Sequence, residues 1–217
     1  MLIYENALAS SDDIRDFVLE GEAAVSFPLN RMRLESVKDP AEGQKSNFVF
    51  WCPAVFPPDI RIEWEFRPIR EPGLCILFFA AQGKGGADLF SPTLTPRTGE
   101  YEMYHHGDMD AYHLSYFRRR WPEERAFHTC NLRKSYGFHL VTQGADPIPD
   151  VDDATRAYRL QLEKRNGNIS FAVDGLTVLQ WEDDGHTFGE TLGQGRIGFR
   201  QMAPLIGEYA NLKVYSV

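Results

Sequence analysis

Cysteine is scarce: Cys52, Cys75 and Cys130 are odd in number and far apart, and no paired Cys-x-x-Cys occurs, which excludes a disulfide framework or a zinc ribbon. The three are expected to be buried, reduced thiols. Positive charge is also in short supply, with 23 Lys and Arg against 31 Asp and Glu and a formal net charge of -8. Nucleic acid and anionic membranes both need a basic footprint, so neither is expected as a partner. No apolar run approaches a membrane-spanning helix, and the opening MLIYENALASSDDIRDF lacks the basic, apolar and small-residue succession of a secretory leader. The expectation is a cytoplasmic protein. The G-x-S-x-G elbow, the phosphate loop and the dinucleotide fingerprint are missing too, which removes hydrolase-fold esterases and nucleotide-dependent enzymes.

Helical periodicity is nearly absent; only SDDIRDFVLE, capped by Ser11 or Asp12, reads as a short helix. Strand signals run throughout instead. Ile60, Ile62, Trp64 and Phe66 alternate with Arg61, Glu63, Glu65 and Arg67, as in a half-buried strand. GLCILFFAA is apolar at every position and predicts a central strand covered on both faces. Asn166-Gly167 separates two alternating runs and suits a tight turn with positive φ at both central residues. About a dozen short strands with Gly, Pro, Asn and Asp turns imply an all-β, jelly-roll sandwich of two antiparallel sheets. With 43% hydrophobic residues, the chain is expected to form a single domain over residues 1–217, with one or two short helices. Residues 82–99 and 120–155 read as long loops folded over a site.

The stretch EYEMYHHGDMDAYHLSYFRRR, from Glu100 to Arg120, concentrates the reactive side chains. Read as a hairpin turning at Gly107 to Asp110, it divides by strand alternation. Glu100, Glu102, Tyr104, His106, His113, Ser115, Phe117 and Arg119 share a polar face. His105 and the tyrosines at 101, 112 and 116 fall on the wall behind it. On a concave sheet such a polar face makes a groove for an extended ligand, with Trp51, Tyr104 and Phe117 as sugar-stacking platforms. The competing reading is an ordinary solvated sheet face.

Three chemistries fit these residues. Glu100 and Glu102, two apart on one strand, would have Cβ atoms roughly 6 to 7 Å apart, within reach of glycosidase geometries. His106 and His113, with Glu102, are candidate ligands for a divalent metal ion. For β-elimination of a uronate, His113 is the base and Tyr104 or Glu102 the proton donor. Arg119 or Arg133 anchors the carboxylate, and Asn131, Lys134, Arg200 and Gln201 are further substrate contacts.

NFVFWCPAVFPPDIRIEWEF, GLCILFFAAQG, GEYEMYHHGDMDAYHLSYFRR, TCNLRKSYGFHLVTQGADPIP and GRIGFRQMAPLIGEYANLKVY together resemble the YesU-like bacterial family, long classed as a domain of unknown function. The resemblance spans nearly the whole chain. It implies a concanavalin A-like, galectin-like sandwich and a setting in the use of pectin-type, rhamnogalacturonan-like glycans, without a catalytic mechanism. Glu100-Tyr101-Glu102 lacks the third spaced acid of the glucanases of this fold. The expected function is binding and cleavage, by a lyase or glycoside hydrolase, of such oligosaccharides. The alternatives are a noncatalytic lectin-like module and a metal-dependent enzyme on modified glycosides.

Overall fold

The computed structural model describes residues 1–217. Fifteen strands form two antiparallel sheets. The first sheet takes β1 (Leu2–Asn6), β3 (Ala23–Ser26), β4 (Met32–Ser36), β6 (Ile60–Arg70), β11 (Tyr158–Arg165), β12 (Asn168–Val173), β13 (Leu176–Glu182) and β15 (Ile206–Ser216). Its order is β13-β12-β11-β6-β15-β4-β3, with β1 paired on β15. The second takes β2 (Val18–Glu20), β5 (Phe48–Trp51), β7 (Leu74–Gly83), β8 (Met109–Tyr116), β9 (Thr129–Lys134), β10 (His139–Ala145) and β14 (Arg196–Met202), in the order β10-β9-β8-β7-β14-β5-β2. No helix is long and apolar enough to cross a membrane.

Strand alternation builds the core between the sheets. Ile60, Ile62, Trp64 and Phe66 of β6 are all buried, while Arg61 and Glu65 on the opposite face pair with Glu63 and Arg31. The sheets meet through rings: Trp64 donates its indole N–H to the Tyr116 hydroxyl at 3.3 Å, Phe66 packs on Tyr116 and Tyr209 packs on Phe199, at centroid distances of 5.3 and 5.0 Å. One apolar cluster draws on residues from Leu8 to Val214. All three cysteines lie buried and unpaired.

β7 is covered on both sides, as its unbroken apolar run predicts. Cys75, Leu77 and Phe79 face the inter-sheet core. Ile76 and Phe78 face outward into a second apolar layer with Val49, Trp51, Tyr104 and Met202. Asn166 and Gly167 take φ of 49° and 82° between β11 and β12, the doubly positive turn that the Asn-Gly pair favours.

Three sequence expectations give way. Residues 11–16 form turns rather than a helix: the Asp13 carboxylate accepts the amides of Ala9 and Ser10 at 2.8 and 3.0 Å, and the following residues pair with β5 as β2. The expected loop at 120–155 contains α2 (Pro122–Phe127), β9 and β10. The hairpin at 100–120 does not form. Glu102–His105 is a helical turn, α1, and β8 pairs instead with β7 and β9. Tyr101, Tyr104 and His105 stand at i, i+3 and i+4, so one side of this turn is aromatic and lies down on the sheet.

Candidate functional site

The outer face of the second sheet presents two parallel rows of side chains fixed by strand register. One runs from Arg200 on β14 through Ile76 on β7, Ser115 on β8 and Asn131 on β9 to Gln143 on β10. The next holds Gly198, Phe78, His113 and Arg133. Three strand spacings separate Arg200 from Asn131, about 14 Å. Over the first row opens a cleft of about 230 Å³, bounded by Tyr101, Trp121 and Phe138 and by Arg118, Arg133 and Arg200. Trp121 and Phe138 are 48% and 46% exposed, so two aromatic faces stand free at its rim.

The cleft is electropositive within an acidic chain. Arg118 is neutralised by Glu124 at 2.6 Å. Arg133 donates to the Phe138 carbonyl at 2.9 Å and lies 3.7 Å from the centre of the Phe138 ring. Arg200 is completely buried. Its Nη2 donates to Gln44 Oε1 at 3.0 Å and to the Gly99 carbonyl at 3.3 Å, while Nε and Nη1 have no partner. Burial without a counter-ion lowers its pKa to about 10.

Tyr101 covers this guanidinium, with the ring centre 4.6 Å from it. The Tyr101 hydroxyl lies 3.0 Å from His113 Nδ1, and His113 Nε2 lies 3.0 Å from Ser135 Oγ. Ser135 accepts the Ala111 N–H and spends its one hydroxyl proton on the Ala111 carbonyl. Nε2 of His113 therefore carries the imidazole proton, and Nδ1 accepts from Tyr101. Burial, reinforced by His105, Arg200 and Arg133, holds the His113 pKa well below the ordinary value and keeps the ring neutral. Burial likewise pushes the Tyr101 phenol up to about 12, against the pull of Arg200, Arg133 and Arg118. A protonated phenol thus faces a neutral acceptor, an orientation fit for passing a proton.

The same burial has a consequence for stability. A histidine neutral when folded takes up a proton when unfolded as the pH drops through 6.5, so the native state loses stability below that pH until its own lower pKa is reached. Urea denaturation between pH 7.5 and 5, wild type against His113→Gln, is expected to show a steeper decline for wild type. The difference approaches about 1.4 kcal/mol per pH unit. Equal slopes would remove the buried, neutral assignment.

Residues 84–106, which roof the outer face, are tied down by Glu20. This carboxylate accepts from Trp51 Nε1 at 2.9 Å, Tyr104 Oη at 2.9 Å and Arg97 at 2.6 and 3.1 Å. Arg97 also reaches the Leu89 carbonyl at 2.8 Å.

Of the residues singled out from sequence, Asn131, Arg133 and Arg200 meet at the cleft, and His113 lies just beneath Tyr101. The others stand elsewhere. Trp51 and Tyr104 are fully buried in the layer over Phe78, bound to Glu20, and offer no open platform. Phe117 packs in the inter-sheet core against Phe66. Arg119 is fully buried against Asp146, Asp150 and the Ile148 carbonyl. Lys134 and Gln201 face the sandwich interior. Lys134 pairs with Asp183 at 2.7 Å, and Gln201 donates to the Leu34 and Leu205 carbonyls.

Glu100 is half-buried and Glu102 exposed, both outside the cleft. His106 sits against His105 and Tyr136, not across from His113, because the hairpin that would have joined them is absent. No group of three His, Cys, Asp or Glu side chains converges as a metal site. Tyr101, Gln44, Trp121 and Phe138 are site residues that strand alternation does not reveal. The aromatics flanking Gly137, which takes φ of 99° at the β9–β10 turn, are the available signal for Phe138. A larger basin of about 720 Å³, bordered by Gln82, Asp110, Tyr136, His139 and Phe188, lies beyond that turn. It is open and polar, and its buried cation, Lys134, already has a carboxylate partner.

Two antiparallel sheets packed face to face, with a roofed cleft on the outside of one, define a galectin-like β-sandwich. A crystal structure of a protein of unknown function with galectin-like fold from Bacillus subtilis superposes with a TM-score of 0.95 at 51% identity, covering 99% of this chain and 96% of the other. The chain belongs to the family described as a domain of unknown function, DUF1961, whose sequence profile matches residues 1–214. It is 52% identical over 213 residues to the uncharacterized protein YesU of Bacillus subtilis (strain 168), covering 98% of this chain and 94% of that protein. The carbohydrate binding module CBM66 from Bacillus subtilis shares the fold at 12% identity, with a TM-score of 0.54 and coverage of 90% and 92%.

Proposed function

We propose that this protein binds oligosaccharides of a pectin-type, rhamnogalacturonan-like glycan in the cleft beside Arg200. The chain acts as one domain within the cell, a setting that the three unpaired, buried thiols support. The observation that carries the reading is the union, in one cleft, of exposed aromatic faces with sheet-borne polar groups, Ser115, Asn131 and Arg133. Rings stack on the apolar face of a sugar while amide, hydroxyl and guanidinium groups meet its hydroxyls. A shared fold with a carbohydrate binding module agrees with this use but does not by itself establish it. Calorimetric titration with rhamnogalacturonan and oligogalacturonide fragments is the test. Trp121→Ala and Phe138→Ala are each expected to weaken binding about five- to tenfold, about 1 to 1.4 kcal/mol. Unchanged affinity in both variants would move the site elsewhere.

A second reading, cleavage of the same ligand by β-elimination, is favoured by the oriented Tyr101–His113 pair next to Arg200. In that reaction the proton on C5, beside the uronate carboxyl, is removed and the C4–O4 bond breaks. A C4=C5 double bond forms, and the departing oxygen is protonated. Tyr101 takes the C5 proton as its own phenolic proton passes to His113 Nδ1. The reverse relay delivers a proton through Tyr101 to the departing O4 and restores the neutral imidazole, and the guanidinium balances the charge that builds on the carboxylate. An ultraviolet-absorbing unsaturated product that disappears in Tyr101→Phe supports this reading; bound but unchanged oligosaccharide leaves binding alone.

A further inference from the structure

The geometry points to Arg200 as the receptor for a ligand carboxylate, the acid group of a hexuronic acid residue, with the Tyr101 ring as the gate over it. This inference rests on the glycan reading above and adds what the cleft selects. A guanidinium has five N–H groups, and the two acceptors of Arg200, Gln44 Oε1 and the Gly99 carbonyl, both bind Nη2. Three N–H groups are thus left without an acceptor on a side chain from which water is excluded. Arg119, also fully buried, shows the ordinary arrangement, with Asp146, Asp150 and a carbonyl around it.

The neighbouring carboxylates cannot serve Arg200. Glu124 is taken by Arg118 and Glu20 by Arg97. What covers Arg200 instead is the face of Tyr101, a weaker and exchangeable partner than an anion. Tyr101 is the N-cap residue of α1, a single turn at the end of the roofing segment, and its ring borders the cleft. A small displacement of that ring opens the guanidinium to the cleft, where an anion replaces the cation–π contact with charge-assisted hydrogen bonds. Arg133, which has no acidic partner, adds a second positive charge nearby.

Two readouts test this. Calorimetry compares rhamnogalacturonan fragments and oligogalacturonides as free acids with the same oligosaccharides after carboxyl reduction. The acids are expected to bind about tenfold more tightly or better, and Arg200→Gln to erase the preference. Equal affinities for the acid and reduced forms, or a preference retained in Arg200→Gln, overturn the carboxylate assignment and leave the glycan reading standing. No binding of either form removes the glycan reading and this inference together.

Stability supplies the independent check. An arginine awaiting a ligand can be replaced without loss, so thermal unfolding of ligand-free Arg200→Met is expected at or above the wild-type temperature. A clearly lower melting temperature would make Arg200 a structural residue and overturn the proposal.

Discussion

Replacing Glu20 by alanine is expected to destabilise the protein by about 3 to 5 kcal/mol, lowering the melting temperature by about 6 to 20 °C. The reason lies in what Glu20 leaves behind. Arg97, with 4% of its side chain exposed, would keep its charge in a water-poor site with only the Leu89 carbonyl to receive it. The indole N–H of Trp51 would lose its acceptor and the Tyr104 hydroxyl its anchor. Losing one partner of a buried ion pair costs more than the pair itself contributes, because the surviving charge is uncompensated. The Tyr104 hydroxyl also accepts the Gly99 N–H, closing the roofing segment on itself. The same change should therefore loosen residues 84–106, visible as faster amide exchange there than in β7. A melting temperature within a degree or two of wild type would show that the network is not a principal tie.

Lys134→Met is expected to have a loss of similar size, about 3 to 5 kcal/mol, without a direct effect on ligand contact. Sequence alone places Lys134 among the sugar-binding residues, next to Arg133. Its register opposite Tyr112 turns it to the inner face, where both it and Asp183 have side chains 1% exposed. Its ammonium also holds the Gly189 carbonyl at 2.8 Å, and the Tyr112 hydroxyl bonds Asp183 as well. Removing the lysine strands that carboxylate. Urea denaturation should register the change, while the affinity of the folded fraction for an acidic oligosaccharide stays within about twofold of wild type. A variant of normal stability and poor affinity would return Lys134 to the binding site.

The contrast between Arg133 and Lys134 shows what the sequence makes legible. Alternation is a local property, so β6, the doubly covered β7 and the Asn166-Gly167 turn are readable from their own residues. Tyr112, Leu114 and Tyr116 fall on the core side of β8, as alternation requires. Residues 100–105 depart from it because Glu-Tyr-Glu-Met-Tyr-His satisfies two periods at once. Tyr101, Tyr104 and His105 also match a helical face, and what settles the conflict is Glu20, eighty-four residues from Tyr104. Tertiary partners of that kind override local pattern.

The site is legible to the same degree. Asn131, Arg133 and Arg200 are found because polar and cationic residues on strands that are otherwise apolar stand out. Arg119 shares that signature yet is neutralised by Asp146 and Asp150, which lie about thirty residues away in a loop. Alternation assigns Tyr101 to the wall because its role depends on the helical turn. Gln44 comes from Pro40–Ser46, a 3-10 segment with no local mark of function.

The central claim is that an acidic oligosaccharide lies across the outer face of the second sheet with a carboxylate on Arg200. Its most direct test is a crystal structure of the protein grown with a rhamnogalacturonan or galacturonan fragment. Density for a sugar ring against Phe138 or Trp121, with its carboxylate within hydrogen-bond distance of Arg200 and the Tyr101 ring displaced, is the predicted result. Ordered sugar confined to the larger basin beside Tyr136 and Phe188, with Arg200 still covered, would contradict it.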